Sequence, residues 1–197
     1  MTTQPIFERI VLTEIKRYLN TDDIIVLHGA RQVGKTSILY YLEAELIRQG
    51  EETYFIDLED SRFVNILDSG VGEFLKHLEE EGKSPEQKKK LYVFIDEIQY
   101  LANPSSFLKL VADHHKNIKL IVSGSSSFAI KTKFKDSLAG RTVNFEIFNL
   151  SFNEFLRFRK YHFEEGKAYS AKKIDELRSL FKEYVLYGGY PKIVLTP

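Results

Sequence analysis

The sequence predicts an α/β protein: a mainly parallel sheet of about five strands between two layers of helices, followed by a small C-terminal helical segment. Short apolar runs typical of buried strands alternate with longer stretches in which apolar residues recur at helical spacing. Gly29, Asp96 and Ser123 each follow such an apolar run. Ligands of parallel sheets bind at the carboxyl ends of the strands. We therefore expect a three-layer domain with its site at one edge of the sheet.

Local patterns predict the individual elements. Strands are expected at residues 23–28, 52–58, 91–97, 117–124 and 142–148. Helices are expected at residues 6–19, 37–46, 71–80, 105–115, 152–160 and 171–186. Residues 82–90 contain Pro85 and three consecutive lysines, which indicates an exposed loop. We expect residues 1–150 to form the core domain and residues 151–197 a helical extension.

Composition and charge limit the functions that are open to the chain. Its 197 residues suffice for one buried core and a small appendage. The 28 basic and 28 acidic side chains balance, so no overall field attracts nucleic acid or an anionic membrane, although a local basic patch is compatible with this balance. The absence of cysteine excludes disulfides, thiolate metal sites and a thiol nucleophile. The first residues lack the pattern of a signal peptide, and a cytoplasmic location is expected.

The most specific motif is Gly-Ala-Arg-Gln-Val-Gly-Lys-Thr at 29–36, between a predicted strand and a predicted helix. It matches the loop that wraps the phosphates of a nucleotide. Its glycines let the backbone approach an anion closely, and the loop N–H groups and the positive end of the helix face the phosphates. Lys35 is expected to reach the β- and γ-phosphates, and Thr36 to place its hydroxyl on Mg²⁺. The predicted nucleotide-binding residues of this segment are Gly29, Ala30, Arg31, Gln32, Val33, Gly34, Lys35, Thr36 and Ser37.

A second motif is the apolar strand at 91–95 that ends in Asp96 and Glu97. This is the Walker B pattern. Asp96 is predicted to hold Mg²⁺ together with Thr36, and Glu97 to orient or deprotonate the attacking water. A strand that runs into an ordinary charged turn is the alternative. The phosphate loop upstream, at a distance that fits an intervening helix and strand, favours the Walker B interpretation.

The base of the nucleotide is predicted to be adenine. Guanine specificity usually requires an Asn-Lys-x-Asp string after a strand, and the sequence contains none. A switch-type GTPase would also have Asp-x-x-Gly at the metal aspartate, whereas position 99 is glutamine. ATP with Mg²⁺ is therefore the expected ligand.

Six strings together resemble a known family, and they occur in the expected order over nearly the whole chain. They are Gly29–Thr36, Asp96–Gln99, Ser123–Ser127, Leu138–Arg141, Leu150–Phe155 and Gly188–Pro191. The chain resembles the AAA_14 family, which is related to the AAA+ and STAND ATPases of the additional-strand class and is frequently fused to a C-terminal domain of unknown function. The resemblance implies a P-loop ATPase domain whose helical extension at 151–197 is truncated before a further C-terminal domain.

The resemblance also implies roles for four further residues. Ser123 or Ser125 would sense the γ-phosphate, with a simple serine-rich turn as the alternative. Arg141 would be an arginine finger or a γ-phosphate sensor, acting in its own subunit or on a neighbour; the alternative is a surface arginine. Pro191 would pack on adenine, although a proline shortly after Gly188 is also ordinary at the end of a helix.

The sequence leaves several functions open. The leading expectation is Mg²⁺-dependent ATP binding and slow hydrolysis that couples nucleotide state to an attached domain or partner. The alternatives are an ATP/ADP switch without turnover, and the ATPase subunit of a DNA-processing system. A phosphotransferase would need a lid with arginines, which we cannot identify. Self-association or a partner protein that supplies an arginine is compatible with the sequence, while nucleic acid is not favoured for this domain alone; the basic segment 131–135 is expected to be a solvated loop.

Overall fold

A single parallel sheet forms the centre of the molecule. The structure, a computed structural model, describes residues 8–83, 89–125, 138–164 and 166–196. The strands are β1 (Ile24–Gly29), β2 (Glu52–Asp57), β3 (Leu91–Asp96), β4 (Ile118–Ser125) and β5 (Thr142–Ile147). Their order in the sheet is β2-β3-β4-β1-β5, and every neighbouring pair is parallel. The predicted α/β class and parallel five-stranded sheet are confirmed.

Eight α-helices are described. They are α1 (Val11–Lys16), α2 (Lys35–Arg48), α3 (Ser61–Asp68), α4 (Val71–Glu80), α5 (Pro104–His114), α6 (Phe152–Phe158), α7 (Ala171–Tyr187) and α8 (Pro191–Leu195). The sequence did not indicate α3 or α8, because eight and five residues are too few for a clear helical period. A 3₁₀ turn at Ile98–Tyr100 was also not predicted. Over the described residues, no helix has the length and apolar content needed to cross a bilayer.

The sheet is covered on both faces. Alternate residues of β1 enter two different apolar clusters: Ile24 and Val26 join one, and Ile25 and Leu27 join the other. Side chains of α3, α4 and α5 belong to the first cluster, and side chains of α1 and α2 belong to the second. Every residue of β1 is therefore buried, as expected for the interior of a three-layer α/β protein. A third, smaller cluster lies among residues 150–194 of the C-terminal segment.

The register aligns the carboxyl ends of the strands at one edge of the sheet. Gly29 lies opposite Ser125 on one side and Ile147 on the other, and Asp57 lies opposite Asp96. The strand β4 lies between β1 and β3, which is the arrangement that defines the additional-strand class. The phosphate loop after β1 and the acidic pair Asp96–Glu97 at the end of β3 thus lie at the same edge of the sheet, separated by the width of β4.

At the opposite edge, where the amino ends of the strands lie, β4 carries a buried lysine. Lys119 is 2% exposed, and its Nζ donates hydrogen bonds to the carbonyl oxygens of Thr21, at 2.9 Å, and Asp23. Burial lowers the pKa of Lys119 from 10.5 to about 8; the charge of Lys90 adds to this effect, and Asp23 and Asp22 oppose it. The folded protein therefore holds the Lys119 proton less tightly than the unfolded chain does.

Removal of this amine in Lys119→Met is expected to change how stability depends on pH. Between about pH 8 and 10.5 the unfolded wild-type chain binds a proton at this position that the folded protein has released, so wild-type stability rises with pH relative to the variant. The relative gain is at most ~1.4 kcal/mol per pH unit. Urea unfolding of both proteins between about pH 7 and 10 measures it. Parallel pH profiles would contradict this assignment.

Candidate nucleotide-binding site

The segment Gly29–Thr36 connects the end of β1 to the start of α2. A Cβ atom added to Gly29 would lie 2.3 Å from the carbonyl oxygen of Ile147, so only glycine fits against the end of β5. Gly34 directly precedes α2 and has a φ of 99°, a backbone conformation that is strongly disfavoured for residues with a Cβ atom. The two glycines thus bring the loop backbone tightly around the N-terminus of a 14-residue helix, where the free N–H groups and the helix dipole favour an anion.

Lys35 is the first residue of α2, and its side chain folds back over the loop. It is 5% exposed, and its Nζ donates to the carbonyl oxygens of Gly29, at 3.1 Å, and Ala30, at 2.9 Å. Burial lowers the pKa of Lys35, and the carboxylates of Glu97 and Asp96 oppose this effect. The ammonium is thus held by the loop carbonyls, and an anionic group bound by the loop would offset its desolvation.

Asp96, the last residue of β3, is 3% exposed and is held by two hydroxyl groups. Thr36 donates from Oγ1 to Asp96 Oδ2 at 2.6 Å, and Ser123 donates from Oγ to Oδ1. A hydroxyl oxygen in contact with a carboxylate is the kind of hard donor pair that Mg²⁺ takes, usually with substrate phosphates and water as its other ligands. Within the described part of the chain, no group of three or more His, Cys, Asp or Glu side chains is placed to hold a metal. The residues fit a metal that is shared with phosphates.

Glu97 follows directly and adopts a left-handed backbone conformation, with φ 56° and ψ 46°. Its N–H donates to Asp96 Oδ1 at 3.1 Å, and its carboxylate accepts from Gln99 Nε2. A residue other than glycine in this conformation is strained by about 1 kcal/mol or more, and such strain is concentrated at functional sites. The turn directs the Glu97 side chain into the cleft above the loop.

The two predicted sensor serines have different surroundings. Ser123 is fully buried, and its hydroxyl is engaged by Asp96. Ser125 is partly exposed at the end of β4, and its N–H donates to Gln99 Oε1 at 3.1 Å. Ser123 therefore supports the Asp96 carboxylate, while a γ-phosphate contact by either serine stays a prediction. Ser126 and Ser127 of the same string, and the basic segment 131–135, lie outside the described residues.

A cleft of about 690 Å³ opens above the loop. Its walls include Arg31, Lys35, Thr36, Glu97, Tyr100 and Pro191. Its volume falls within the range of small-molecule sites. Pro191 begins α8, and its Cγ would lie 3.6 Å from a Cβ added to Gly34. Pro191 thus lies beside the loop, and its contact with adenine stays a prediction.

A buried ion pair behind the loop was not anticipated. Arg9 donates from Nε to Glu154 Oε1 at 2.8 Å, from one terminal nitrogen to the carbonyl of Val33 and from the other to the carbonyl of Phe148, both at 2.9 Å. Arg9 is 7% and Glu154 5% exposed. The pair connects the phosphate loop to α6. The Ser151-x-x-Glu154 capping box was visible in the sequence, but nothing there paired its glutamate with an arginine 145 positions away.

Arg141, predicted to act in its own subunit or on a neighbour, lies away from the cleft of its own chain. Arg141 precedes Thr142, the first residue of β5, which lies opposite Ile24, the first residue of β1. It is therefore at the amino edge of the sheet, six residue steps of about 3.3 Å, or roughly 20 Å, from the edge that carries the loop. Its guanidinium is paired with Asp113 of α5, with Nε 2.7 Å from Oδ1. A role on a neighbouring subunit stays a prediction.

A phosphate loop after β1 and an acidic pair at the end of β3 define the P-loop nucleotide-binding class of α/β proteins, and the position of β4 between these strands places the chain in its additional-strand division. The chain belongs to the AAA_14 family of AAA domains, whose family model matches residues 21–156. It is 32% identical over 187 residues to MJ1544, an uncharacterised protein of Methanocaldococcus jannaschii. That match covers 95% of this chain but 40% of the relative, so the chain spans less than half of the relative's length.

Solved AAA+ structures share the fold. The Orc1 protein of Aeropyrum pernix in complex with DNA superimposes with a TM-score of 0.56 at 15% identity, over 97% of this chain and 59% of that one. AMPPCP-bound DnaA from Aquifex aeolicus gives 0.53 at 16% identity, over 89% and 58%. At these identities the likeness concerns the fold. Together with the family, it supports an AAA+ ATPase-like domain that binds nucleotide.

Proposed function

We propose that this chain is a Mg²⁺-dependent ATPase domain that binds ATP in the cleft above Gly29–Thr36 and hydrolyses it slowly. The observation that carries the proposal is the convergence of Thr36, Asp96 and Ser123, with Lys35 and Glu97 facing the same cleft. These residues come from three segments of the chain. The parallel strands bring the loop, Asp96 and Glu97 to the same edge of the sheet. Such a set matches the requirements of phosphoryl transfer to water.

Each of these residues has a distinct chemical role in the proposal. The ammonium of Lys35 balances charge on the β- and γ-phosphates, and the loop N–H groups hold their oxygens. Thr36 and Asp96 hold Mg²⁺, which supplies positive charge to the phosphates when it is bound. Glu97 accepts a proton from the attacking water, and its carboxylate lies on the cleft side of the site. Adenine is the proposed base, with Pro191 beside it.

The proposal includes coupling of nucleotide state to another part of the protein or to a partner. Arg9 contacts the loop through the carbonyl of Val33 and α6 through Glu154, so a shift of the loop is transmitted to the C-terminal helical segment. Residues 151–197 are proposed to act as the extension that responds. Arg141 is proposed to act on a neighbouring subunit, because in its own chain it lies at the amino edge of the sheet and is paired with Asp113.

Replacement of the loop lysine in Lys35→Met tests the site. Methionine keeps the aliphatic volume and removes the ammonium, and loss of a charged hydrogen bond of this kind costs ~1.5–3 kcal/mol. We expect MgATP affinity to fall by about 10- to 150-fold in isothermal titration calorimetry. The matched control is Lys76→Met, an exposed lysine on α4, which is expected to bind MgATP like the wild type.

Unchanged MgATP affinity in Lys35→Met would place the nucleotide elsewhere and refute the proposed site. Tight binding by the wild type without release of inorganic phosphate in a single-turnover assay would instead favour a nucleotide-binding switch.

A further inference from the structure

Gln99 connects Glu97, the second acidic residue of the site, to the end of β4. It lies in the 3₁₀ turn directly after Glu97. Its Nε2 donates to Glu97 Oε2, and its Oε1 accepts the N–H of Ser125 at 3.1 Å. An ionised carboxylate can only accept and a backbone N–H can only donate, so this pairing determines which end of the amide faces which partner. Both ends of the Gln99 side chain are therefore used.

The strand β4 anchors both carboxylates. Asp96 is held through the hydroxyl of Ser123, and Glu97 is held through Gln99 and the backbone of Ser125. Ser123 and Ser125 are two positions apart on one strand, so the spacing between the metal-binding carboxylate and the water-activating carboxylate depends on a single rigid element. A residue of β4, Ser123, contacts Asp96 itself, whereas the Glu97 carboxylate is connected to β4 through the side chain of Gln99.

The Glu97 side chain requires such a bridge. It leaves the strand through a left-handed residue and enters an open cleft, where a flexible glutamate has several rotamers available. On the basis of the proposed ATPase function, we infer that Gln99 is a positioning residue that holds the Glu97 carboxylate toward the attacking water. It contributes to the chemical step and leaves nucleotide binding unaffected, because its amide is bonded to Glu97 and Ser125.

The inference is tested with Gln99→Leu, which keeps the approximate volume and removes both hydrogen bonds. Loss of orientation at a reacting group costs up to about 100-fold in rate. We expect the single-turnover rate constant and the steady-state kcat for MgATP hydrolysis to fall by about 10- to 100-fold, while the steady-state KM and the calorimetric MgATP affinity stay within about twofold. The matched control is Gln49→Leu at the exposed C-terminus of α2, which should retain wild-type turnover.

A second variant separates positioning from a general loss of structure. Because Gln99 acts through Glu97, Gln99→Leu should add no further loss of rate in a Glu97→Gln background. Gln99→Asn, which has the amide but is one methylene shorter, should lie between wild type and Gln99→Leu. Additive losses in the double variant, an unchanged or raised kcat in Gln99→Leu, or a loss confined to KM would overturn the inference. Absence of turnover in the wild type would reject the proposed function, and the positioning role with it.

Discussion

Glu97→Gln is expected to slow ATP hydrolysis by about 10²- to 10⁴-fold while MgATP still binds. The amide keeps the shape of the side chain but cannot accept the proton of the attacking water, and general-base catalysis contributes typically 10²–10⁴-fold to a rate. Glu97 is the acidic residue that lines the cleft after β3, and Lys35 lines the same cleft. Its loss should therefore reduce the chemical step far more than it reduces binding.

The measurement is phosphate release under single-turnover conditions, together with calorimetric titration of MgATP. Glu80→Gln at the exposed end of α4 is the matched control and should hydrolyse ATP like the wild type. Asp96→Asn should differ from Glu97→Gln, because it weakens the Mg²⁺ dependence of binding itself. Wild-type turnover in Glu97→Gln would exclude the role assigned to this residue.

Arg9→Met is expected to have the largest effect on stability, a loss of about 3 kcal/mol. Removal of one partner of a buried ion pair strands the other charge and typically costs ~3–5 kcal/mol. Glu154 would keep the N–H groups of Ile10 and Ser151 as donors, which places the expected loss at the lower end of that range. The carbonyl of Val33, within the phosphate loop, would also lose the hydrogen bond from Arg9.

Urea unfolding of Arg9→Met and of Arg17→Met measures the difference. Arg17 is also paired with a glutamate, at 3.0 Å, but its side chain is 67% exposed. The control should therefore lose less than about 1 kcal/mol. Equal losses in both variants would show that the Arg9 pair has no special role.

The pH dependence of the Arg9 pair provides a second test. Burial raises the pKa of Glu154, but hydrogen bonds from Ser151, Arg9 and Ile10 lower it by more, so the net pKa lies below 4.5. A carboxyl with a depressed pKa stabilises the fold fully above its unfolded value, and this contribution disappears as the pH falls through the folded value. The stability difference between wild type and Arg9→Met should thus be full near neutral pH and shrink in acid.

The sequence by itself determined the chemistry that is carried by contiguous residues. The phosphate loop at 29–36 and the acidic pair after β3 are local strings whose function depends on backbone conformation and on the strand before them, so they were visible without a structure. The same holds for the alternation of elements: α4 was predicted with both its bounds, 71 and 80, and all five strands were predicted within one or two residues. Periodicity reports which face of an element is buried, and that is a local property.

Only the tertiary structure decided which distant groups meet. Ser123 reaches Asp96 because β4 lies beside β3, and Arg9 reaches Glu154 across 145 positions of the chain. Arg141 lies at the start of β5, and the start and the end of a strand lie at opposite edges of a parallel sheet, so only the structure showed that it is far from the loop of its own chain. Such contacts depend on strand order and register, which are set by the packing of the whole core and leave no local pattern in the sequence.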